Sequence, residues 1–182
     1  MGKETFKYVA NYCEENIWQL CRHPELAETD TQVLIISNQA GNCSFWQQQS
    51  QPESGPVCWD YHVVLLAFAN GEWVVYDFDS KLDFPVSLGK YLEYTFKPEQ
   101  MAANNAPFFK VFRGAYFTRT FSSDRSHMKD AAGNWIFQPP GWDAIESDQS
   151  PCLYMNQIRD FSPTNPHRLL SLDELKAAFV QA

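Results

Sequence analysis

Residues 61–79 read YHVVLLAFANGEWVVYDFD and contain the clearest folding signal in the sequence. Two runs rich in β-branched and aromatic residues flank Asn70-Gly71, a pair that favours the two-residue turn of a β-hairpin. Such a turn places Ala69 opposite Glu72 and sets the pairing of every residue further along both strands. The sequence therefore predicts an antiparallel hairpin with YHVVLLAFA and EWVVYDFD as its strands.

The same register brings a histidine and two carboxylates to one face of the hairpin. In an ideal ladder His62 lies directly opposite Asp79, while Asp77 lies diagonally across and within side-chain reach. A carboxylate beside an imidazole fixes its tautomer and stabilises the imidazolium, as in the base-and-orienter half of a catalytic triad. The alternative is structural: His62 is a hydrogen-bonded core histidine and the aspartates are polar residues at a strand end.

Residues 13–21, CEENIWQLC, have the spacing of an amphipathic helix with both cysteines on its apolar face. Asn11 with Glu14 resembles a capping box, and Pro24 ends the helix. Free backbone N–H groups and the helix dipole favour a thiolate at Cys13, the first residue of this helix. Because the apolar face must pack on the sheet, Cys13 can face the strand that carries the histidine.

Cys13 is therefore the candidate nucleophile, although two neighbouring acids oppose its ionisation. Glu14 and Glu15 raise the thiol pKa unless they bend outward or bind substrate, and a protonated His62 would have to outweigh them. The remaining cysteines lack an inward-facing helix start and are interpreted as structural, as buried free cysteines commonly are: Cys21, Cys43, Cys58 and Cys152.

The rest of the chain favours one α+β domain. Weaker patterns predict the other elements: strands at 33–37 and 109–117, a helix at 87–101, loops at 46–57 and 138–151, and a final helix capped by Ser171 and Glu174. A helix followed by a block of strands indicates an α+β fold with a largely antiparallel sheet. At this length, we expect residues 1–182 to form a single catalytic domain.

Composition and charge limit the partners and the location. The chain has 182 residues, 45% of them hydrophobic, and a net charge of −8, which disfavours a nucleic-acid partner. The longest apolar run, residues 63–69, is too short to span a bilayer, so no membrane partner is expected. The start MGKETFKY lacks the apolar stretch of a signal peptide, and we expect a cytoplasmic location, with the nucleus as an alternative.

Metal and disulfide chemistry are not expected. Five cysteines without a secretion signal do not indicate a disulfide framework. The nearest approach to a metal motif is Cys58-Trp-Asp-Tyr-His62, a single half-site without the second ligand pair that structural zinc requires. The sequence therefore predicts no metal and no cofactor.

Four strings together resemble the protein N-terminal glutamine amidohydrolase family. They occur in order along nearly the whole chain: YCEENIWQLC at 12–21, WDYHVVLLA at 59–67, VYDFDS at 75–80 and FSSDRSHMKDAAGNW at 121–135. Each string alone is modest support, whereas the combination, and SDRSHMKD with GNW above all, is highly specific.

The resemblance implies a papain- or transglutaminase-like core with a Cys–His–Asp triad that converts an N-terminal glutamine to glutamate and releases ammonia. By their places in the family's motifs, the resemblance implies Cys13 as the nucleophile, His62 as the histidine and Asp77 as the aspartate of this triad. Asp79, preferred by the ideal register, is kept as the alternative partner of the histidine. In eukaryotes such an activity feeds the Arg/N-degron pathway, because the new N-terminal glutamate can be arginylated.

The expected partners are proteins or peptides with a free N-terminal glutamine, acted on by a monomeric enzyme. Glu14, Glu15 and Asp60 lie beside catalytic residues and are candidates for binding the α-ammonium group, although each can equally be a solvated charge. Asp124 and His127 belong to the most specific string and either line the pocket or hold a loop against the sheet.

Two other functions use the same features. A papain-like peptidase or a transglutaminase would employ the same triad at internal sites of a protein. A non-catalytic module that recognises protein N-termini would contain an inert Cys13.

Overall fold

The chain folds around a central antiparallel sheet in a computed structural model that describes residues 2–180. The helices are α1 (Cys13–Cys21), α2 (Leu88–Thr95), α3 (Gly114–Thr120), α4 (Met155–Arg159) and α5 (Leu172–Phe179). The strands are β1 (Thr31–Ser37), β2 (Cys43–Phe45), β3 (Val57–Trp59), β4 (Tyr61–Ala69), β5 (Glu72–Tyr76), β6 (Val86–Ser87), β7 (Phe108–Arg113), β8 (Phe121–Ser122) and β9 (Leu153–Tyr154). Single 3-10 turns lie at Lys3–Thr5, Pro24–Leu26, Pro98–Gln100, Ala103–Asn105 and Ser126–Met128.

The central sheet has five strands in the order β6-β5-β4-β1-β7, and every neighbouring pair is antiparallel. Two small sheets accompany it, the antiparallel pair β2-β3 and the parallel pair β8-β9. The predicted α+β class with a largely antiparallel sheet is confirmed. Within residues 2–180, no helix is both long and apolar enough to cross a membrane.

The hairpin forms with the predicted turn and register. Ala69 pairs with Glu72, and the ladder continues to Leu65 opposite Tyr76. At Tyr76 β5 ends, and a turn follows in which the backbone N–H of Ser80 donates to the carbonyl oxygen of residue 77 at 3.3 Å. Beyond this point the ideal ladder no longer holds, so the predicted position of Asp79 opposite the histidine is wrong.

The sheet is buried on both faces, as the continuous apolar run of β1 indicates. Val33 and Ile35 belong to the core under α1 and α3, whereas Leu34 and Ile36 belong to the core under α2 and α5. All four side chains are fully buried. The strand β4 pairs with this buried strand from Tyr61 to residue 67. Its position is therefore fixed by the core of the sheet.

Helix α1 begins and ends as predicted, but its cap differs from the prediction. The residue before the helix is Tyr12, whose side chain makes no capping hydrogen bond, while Asn11 adopts a left-handed conformation with φ of 69°. Asparagine tolerates this conformation better than most residues. The preceding segment is held instead by Asn16, whose side-chain amide bonds both the N–H and the carbonyl of Val9.

Of three other predicted elements, two are shorter than predicted and the third begins as predicted. The predicted strand 109–117 stops at Arg113, and α3 begins at Gly114, where a Cβ atom would lie 2.1 Å from the hydroxyl oxygen of Thr31. The predicted helix at 87–101 ends at Thr95. The capping box that opens α5 is confirmed.

Candidate functional site

A cavity of about 420 Å³ opens beside the first residues of β4, where β5 no longer pairs with that strand. Both Cys13 and His62 line this cavity. Asp60, Asp79 and His127 contribute polar groups to the same walls. Its size falls in the range that accommodates a small ligand or one amino-acid residue of a peptide.

His62 and Asp77 form the central hydrogen bond of the site. The imidazole Nε2 lies 2.9 Å from Oδ1 of Asp77, and each residue is 3% exposed. The same oxygen accepts from the backbone N–H of Asp79 at 3.0 Å. Oδ2 accepts from the hydroxyl of Tyr91 at 2.9 Å and from the side-chain amide of Gln48 at 3.3 Å. Four donors therefore fix this carboxylate in one orientation.

The electrostatics of this pair favour its charged form. Burial by itself lowers the pKa of His62, but the attraction and hydrogen bond of Asp77 outweigh it, so the pKa of the imidazole is raised. Burial alone raises the pKa of Asp77, but His62 and the other donors hold that pKa below its usual value. Because Nε2 is committed to the carboxylate, Nδ1 is the nitrogen left for a second partner.

Cys13 stands at the first position of α1, partly buried, with its sulfur 3.6 Å from Oε2 of Glu14. Burial raises the pKa of the thiol well above its usual value, and the carboxylates of Glu14 and Asp79 raise it further, while a hydrogen bond from the Val63 backbone opposes them. In the site without substrate, burial and these two carboxylates therefore oppose thiolate formation. For Glu14 this is the opposition expected from the sequence, and the contribution of the helix start stays a prediction.

The nucleophile candidate and the histidine approach each other around the edge of the sheet. By strand alternation His62 points with Val64 to the face under α2, whereas α1 packs on the opposite face. The two side chains nevertheless share one cavity, because β5 leaves β4 at Leu65 and the edge of β4 is open before that residue. Strand alternation alone would have kept the two side chains on opposite faces of the sheet.

Glu15, a predicted substrate residue, does not line the cavity. Its carboxylate forms a two-pronged ion pair with Arg125, with both nitrogen–oxygen distances at 2.8 Å, and accepts from the indole N–H of Trp142 at 2.7 Å. The guanidinium also donates to the carbonyl oxygens of Trp142 and Asp143. This buried pair ties α1 to the segment carrying the SDRSHMKD string, which explains part of that string structurally.

Glu14 is fully buried behind the cavity wall. Its Oε2 accepts from the hydroxyl of Tyr61 at 3.0 Å, whereas Oε1 has no hydrogen-bond partner among residues 2–180. Nε2 of His127 lies 3.6 Å from Oε1, too far for a hydrogen bond. Within the described residues, both ring nitrogens of His127 are buried without a hydrogen-bond partner, although the ring lines the cavity.

Of the two other predicted substrate residues, one lines the cavity and the other does not. Asp60 lines the cavity but forms an exposed ion pair with Arg159 at 2.8 Å. Asp124 is exposed, lies outside this cavity and accepts from the backbone N–H of Ser126 at 2.9 Å. This hydrogen bond stabilises the turn in which Asp124 itself lies.

Three contributors to the site were not identified from the sequence. Tyr91 and Gln48 orient the aspartate, and Tyr8 donates its hydroxyl hydrogen to Oδ1 of Asp79 at 2.6 Å. Tyr91 lies on α2 and Gln48 in a loop rich in glutamine, and neither position carries a local signal of this role. Their roles depend on contacts between distant segments.

Among residues 2–180, one group of side chains has the spacing of a metal site. His62, Asp77 and Asp79 each offer a ligand atom within 4.8 Å of the others. The donors already described occupy the lone pairs of Asp77 and Nε2 of His62, an arrangement that fits a hydrogen-bonded pair better than a ligand set. Cys58, the other half of the weak sequence motif, is exposed on β3 and is not in this group.

Replacement of Glu15 by glutamine should destabilise the fold by about 3 kcal/mol, because it leaves the Arg125 guanidinium buried without its counter-charge. The free energy of unfolding from urea titration measures this loss. Glu28→Gln, at an exposed position, is the matched control and should change stability by less than about 0.5 kcal/mol. Equal stabilities of the two variants would contradict a structural role for the ion pair.

Comparison with known proteins assigns the chain to a family. The sequence model of the N-terminal glutamine amidase family matches residues 8–178. A protein from Bos taurus named protein N-terminal glutamine amidohydrolase is 40% identical over 170 residues, covering 90% of this chain and 80% of the relative. Relatives of the same name from Homo sapiens and Oryza sativa subsp. indica are 39% and 36% identical, over 90% and 86% of this chain and 81% and 73% of their own lengths.

Proposed function

The chain belongs to the N-terminal glutamine amidase family, and we propose that it hydrolyses the side-chain amide of a glutamine at the N-terminus of a peptide or protein. The products are an N-terminal glutamate and ammonia. The chain is thus a hydrolase of linear amides, and its expected substrates are polypeptides with a free N-terminal glutamine.

The observation that supports the catalytic assignment is the shared cavity of Cys13 and His62, with Asp77 bonded to the imidazole. A nucleophile, a base and a group that orients the base are the parts required for acyl transfer through a covalent intermediate. We assign these three roles to these three residues. Tyr91 and Gln48 position the aspartate, because both donate hydrogen bonds to its Oδ2.

In the first half of the reaction, His62 accepts the thiol proton of Cys13 as the sulfur attacks the δ-carbonyl carbon of glutamine. The carbonyl π electrons move to oxygen and form a tetrahedral oxyanion. Collapse of this species breaks the carbon–nitrogen bond, and the imidazolium donates its proton to the departing ammonia. A γ-glutamyl thioester on Cys13 remains.

In the second half, His62 removes a proton from water as the water oxygen attacks the thioester carbon. The carbon–sulfur bond breaks, the imidazolium returns the proton to sulfur, and glutamate is released. Asp77 remains ionised throughout and stabilises each imidazolium, in agreement with its lowered pKa. Attack begins with a neutral imidazole, because His62 must accept the thiol proton of Cys13 in this step.

We further propose a papain- or transglutaminase-like core, in which a helix beginning at the nucleophile packs against an antiparallel sheet that carries the histidine. The arrangement of α1 against β4 supports this relation. The expected single domain, monomeric state and cytoplasmic location remain predictions of the sequence.

Incubation with a short peptide that begins with glutamine tests the function. Replacement of –NH₂ by –OH should raise the peptide mass by about one dalton, with one ammonia released per peptide. A matched peptide with glutamine only at an internal position should remain unchanged. Peptide fragments would indicate a peptidase, and binding without any mass change would indicate a recognition module.

A further inference from the structure

We propose that Asp79 accepts the α-ammonium group of the substrate, with Tyr8 holding the carboxylate in place. This inference rests on the proposed function and specifies how a free N-terminus is selected. Asp79 is neither the nucleophile nor the partner of the histidine. It is the carboxylate of the D-F-D sequence that remains available to a ligand.

The turn after β5 separates the two aspartates of that sequence. The backbone N–H of Asp79 donates to Asp77, which directs the Asp77 side chain to the buried histidine. The side chain of Asp79 takes another direction, lines the cavity and is only partly buried. There Oδ1 accepts from the hydroxyl of Tyr8 at 2.6 Å, a bond that orients the carboxylate without neutralising it.

No cation neutralises this carboxylate within the part of the chain that the structure describes. No Lys, Arg or His nitrogen of residues 2–180 lies within 4.0 Å of its oxygens. Lys3, a nearby lysine, donates instead to the carbonyl oxygens of Phe78 and Ser80. This partly buried carboxylate therefore forms no ion pair with the described residues and is accessible to a cationic ligand in the cavity.

The other acids near the nucleophile are less suitable. Glu15 is neutralised by its guanidinium partner, and Asp60 by Arg159. Glu14 is fully buried, does not line the cavity and already accepts a hydrogen bond. These three residues were the candidates drawn from sequence, and the structure favours Asp79 over each of them.

The spacing also suits glutamine. Four bonds separate the α-nitrogen of glutamine from its δ-carbon, a span of roughly 5 Å when extended. The amide nitrogen must lie next to His62 to receive a proton on departure. An oxygen of Asp79 lies within 4.8 Å of a ring nitrogen of that histidine, so the carboxylate and the imidazole lie within the span of one glutamine residue.

Occupation of this site would also affect the nucleophile. The carboxylate of Asp79 is one of the charges that raise the pKa of the Cys13 thiol. An ammonium group bound to it offsets that charge and eases thiolate formation. A substrate with an acylated N-terminus brings no compensating charge and leaves the carboxylate unpaired in the cavity, which disfavours binding.

Two matched substrates test the proposal: a peptide that begins with glutamine, and its desamino analogue, in which 4-carbamoylbutanoyl replaces the glutamine residue. The wild-type enzyme should prefer the amine by roughly 100-fold in kcat/KM. Asp79→Asn should lower kcat/KM for the amine by roughly 30- to 100-fold, mainly through KM, and leave the desamino value within about threefold. The preference should nearly disappear.

Further variants separate recognition from folding and chemistry. Asp83→Asn, at an exposed position, should match the wild type on both substrates. Tyr8→Phe should reduce the preference for the amine by about three- to tenfold, since it removes one hydrogen bond to the carboxylate. Asp79→Asn should retain the wild-type melting temperature within a few degrees and label Cys13 with iodoacetamide at least as fast as the wild type.

Two results would overturn the inference while leaving the proposed function intact. Equal losses on both substrates in Asp79→Asn would show that the residue acts on the chemistry through Asp77 and the imidazole. An unchanged preference for the amine would assign the ammonium to another acceptor. If the wild-type enzyme released no ammonia from either substrate, the proposed function itself would fail, and the inference with it.

Discussion

Cys13→Ala should lower kcat/KM for a glutamine-initiated peptide by at least about 10⁴-fold, because the other described residues that line the cavity supply no thiol to form the thioester. The loss should appear in kcat, since the thiol contributes little to binding in the ground state. Ammonia release, followed continuously, measures this effect. Intact-protein mass spectrometry after a rapid quench should detect an adduct on the wild-type enzyme and none on the variant.

The matched control is Cys58→Ala, which removes an exposed thiol that does not line the cavity. This variant should retain activity within about twofold, because isolated surface substitutions have small effects. Similar melting temperatures would show that Cys13→Ala is folded. Substantial turnover by a folded Cys13→Ala variant would remove the cysteine from the mechanism.

Asp77→Asn should lower kcat by roughly 10³- to 10⁴-fold, the second-largest effect expected. The asparagine is isosteric, but its uncharged side chain cannot stabilise the imidazolium and can fix the wrong tautomer of His62. Its amide also places a donor where one of the four existing donors now points. Tyr91→Phe, which removes a single bond to the same carboxylate, should cost only about tenfold.

The pH dependence gives a second measurement on the same variant. In the wild type Asp77 raises the pKa of His62, so Asp77→Asn should lower that pKa. The acid limb of kcat/KM should therefore move to lower pH, and the imidazole resonance in NMR titrations should shift with it. An acid limb that does not move, together with near-normal kcat, would contradict the assignment of Asp77 as the partner of the histidine.

The pH dependence of folding stability should also reflect the interaction of His62 with Asp77. The raised pKa of His62 contributes stability that is present below its unfolded value and lost as pH rises through its folded value. The lowered pKa of Asp77 contributes stability that is present above its unfolded value and lost as pH falls through its folded value. Asp77→Asn should therefore reduce the melting temperature most between these two folded values.

Local chemistry made much of the architecture predictable. The Asn70-Gly71 turn sets the hairpin because its backbone twist matches that of the two strands, and this preference depends on adjacent residues alone. The helix from Cys13 and the capping box of Ser171 and Glu174 are local features for the same reason. The family motifs placed the candidate triad at positions that the structure gathers around one cavity.

Register extrapolation failed where the local rule stopped applying. The alternation of side chains holds only while β5 remains paired, and β5 ends at Tyr76. Asp77 therefore reaches the histidine from the turn, whereas Asp79 points into the cavity. No periodicity in the sequence could have located that strand end, since the letters YDFDS continue the strand pattern.

The sequence by itself determined the hairpin, the helix that begins at the cysteine and the class of fold. Through the family resemblance it also indicated the candidate triad, with Asp79 left open as the alternative to Asp77. Only the tertiary structure showed what surrounds each carboxylate near that triad. Glu15 is paired with a buried guanidinium, Glu14 is buried behind the sulfur, and Asp79 lines the open cavity. The physical reason is that turns, caps and strand propensities arise among neighbouring residues. Charge compensation depends instead on which distant segments meet, and in this chain the partners of Glu15 lie more than 100 residues away.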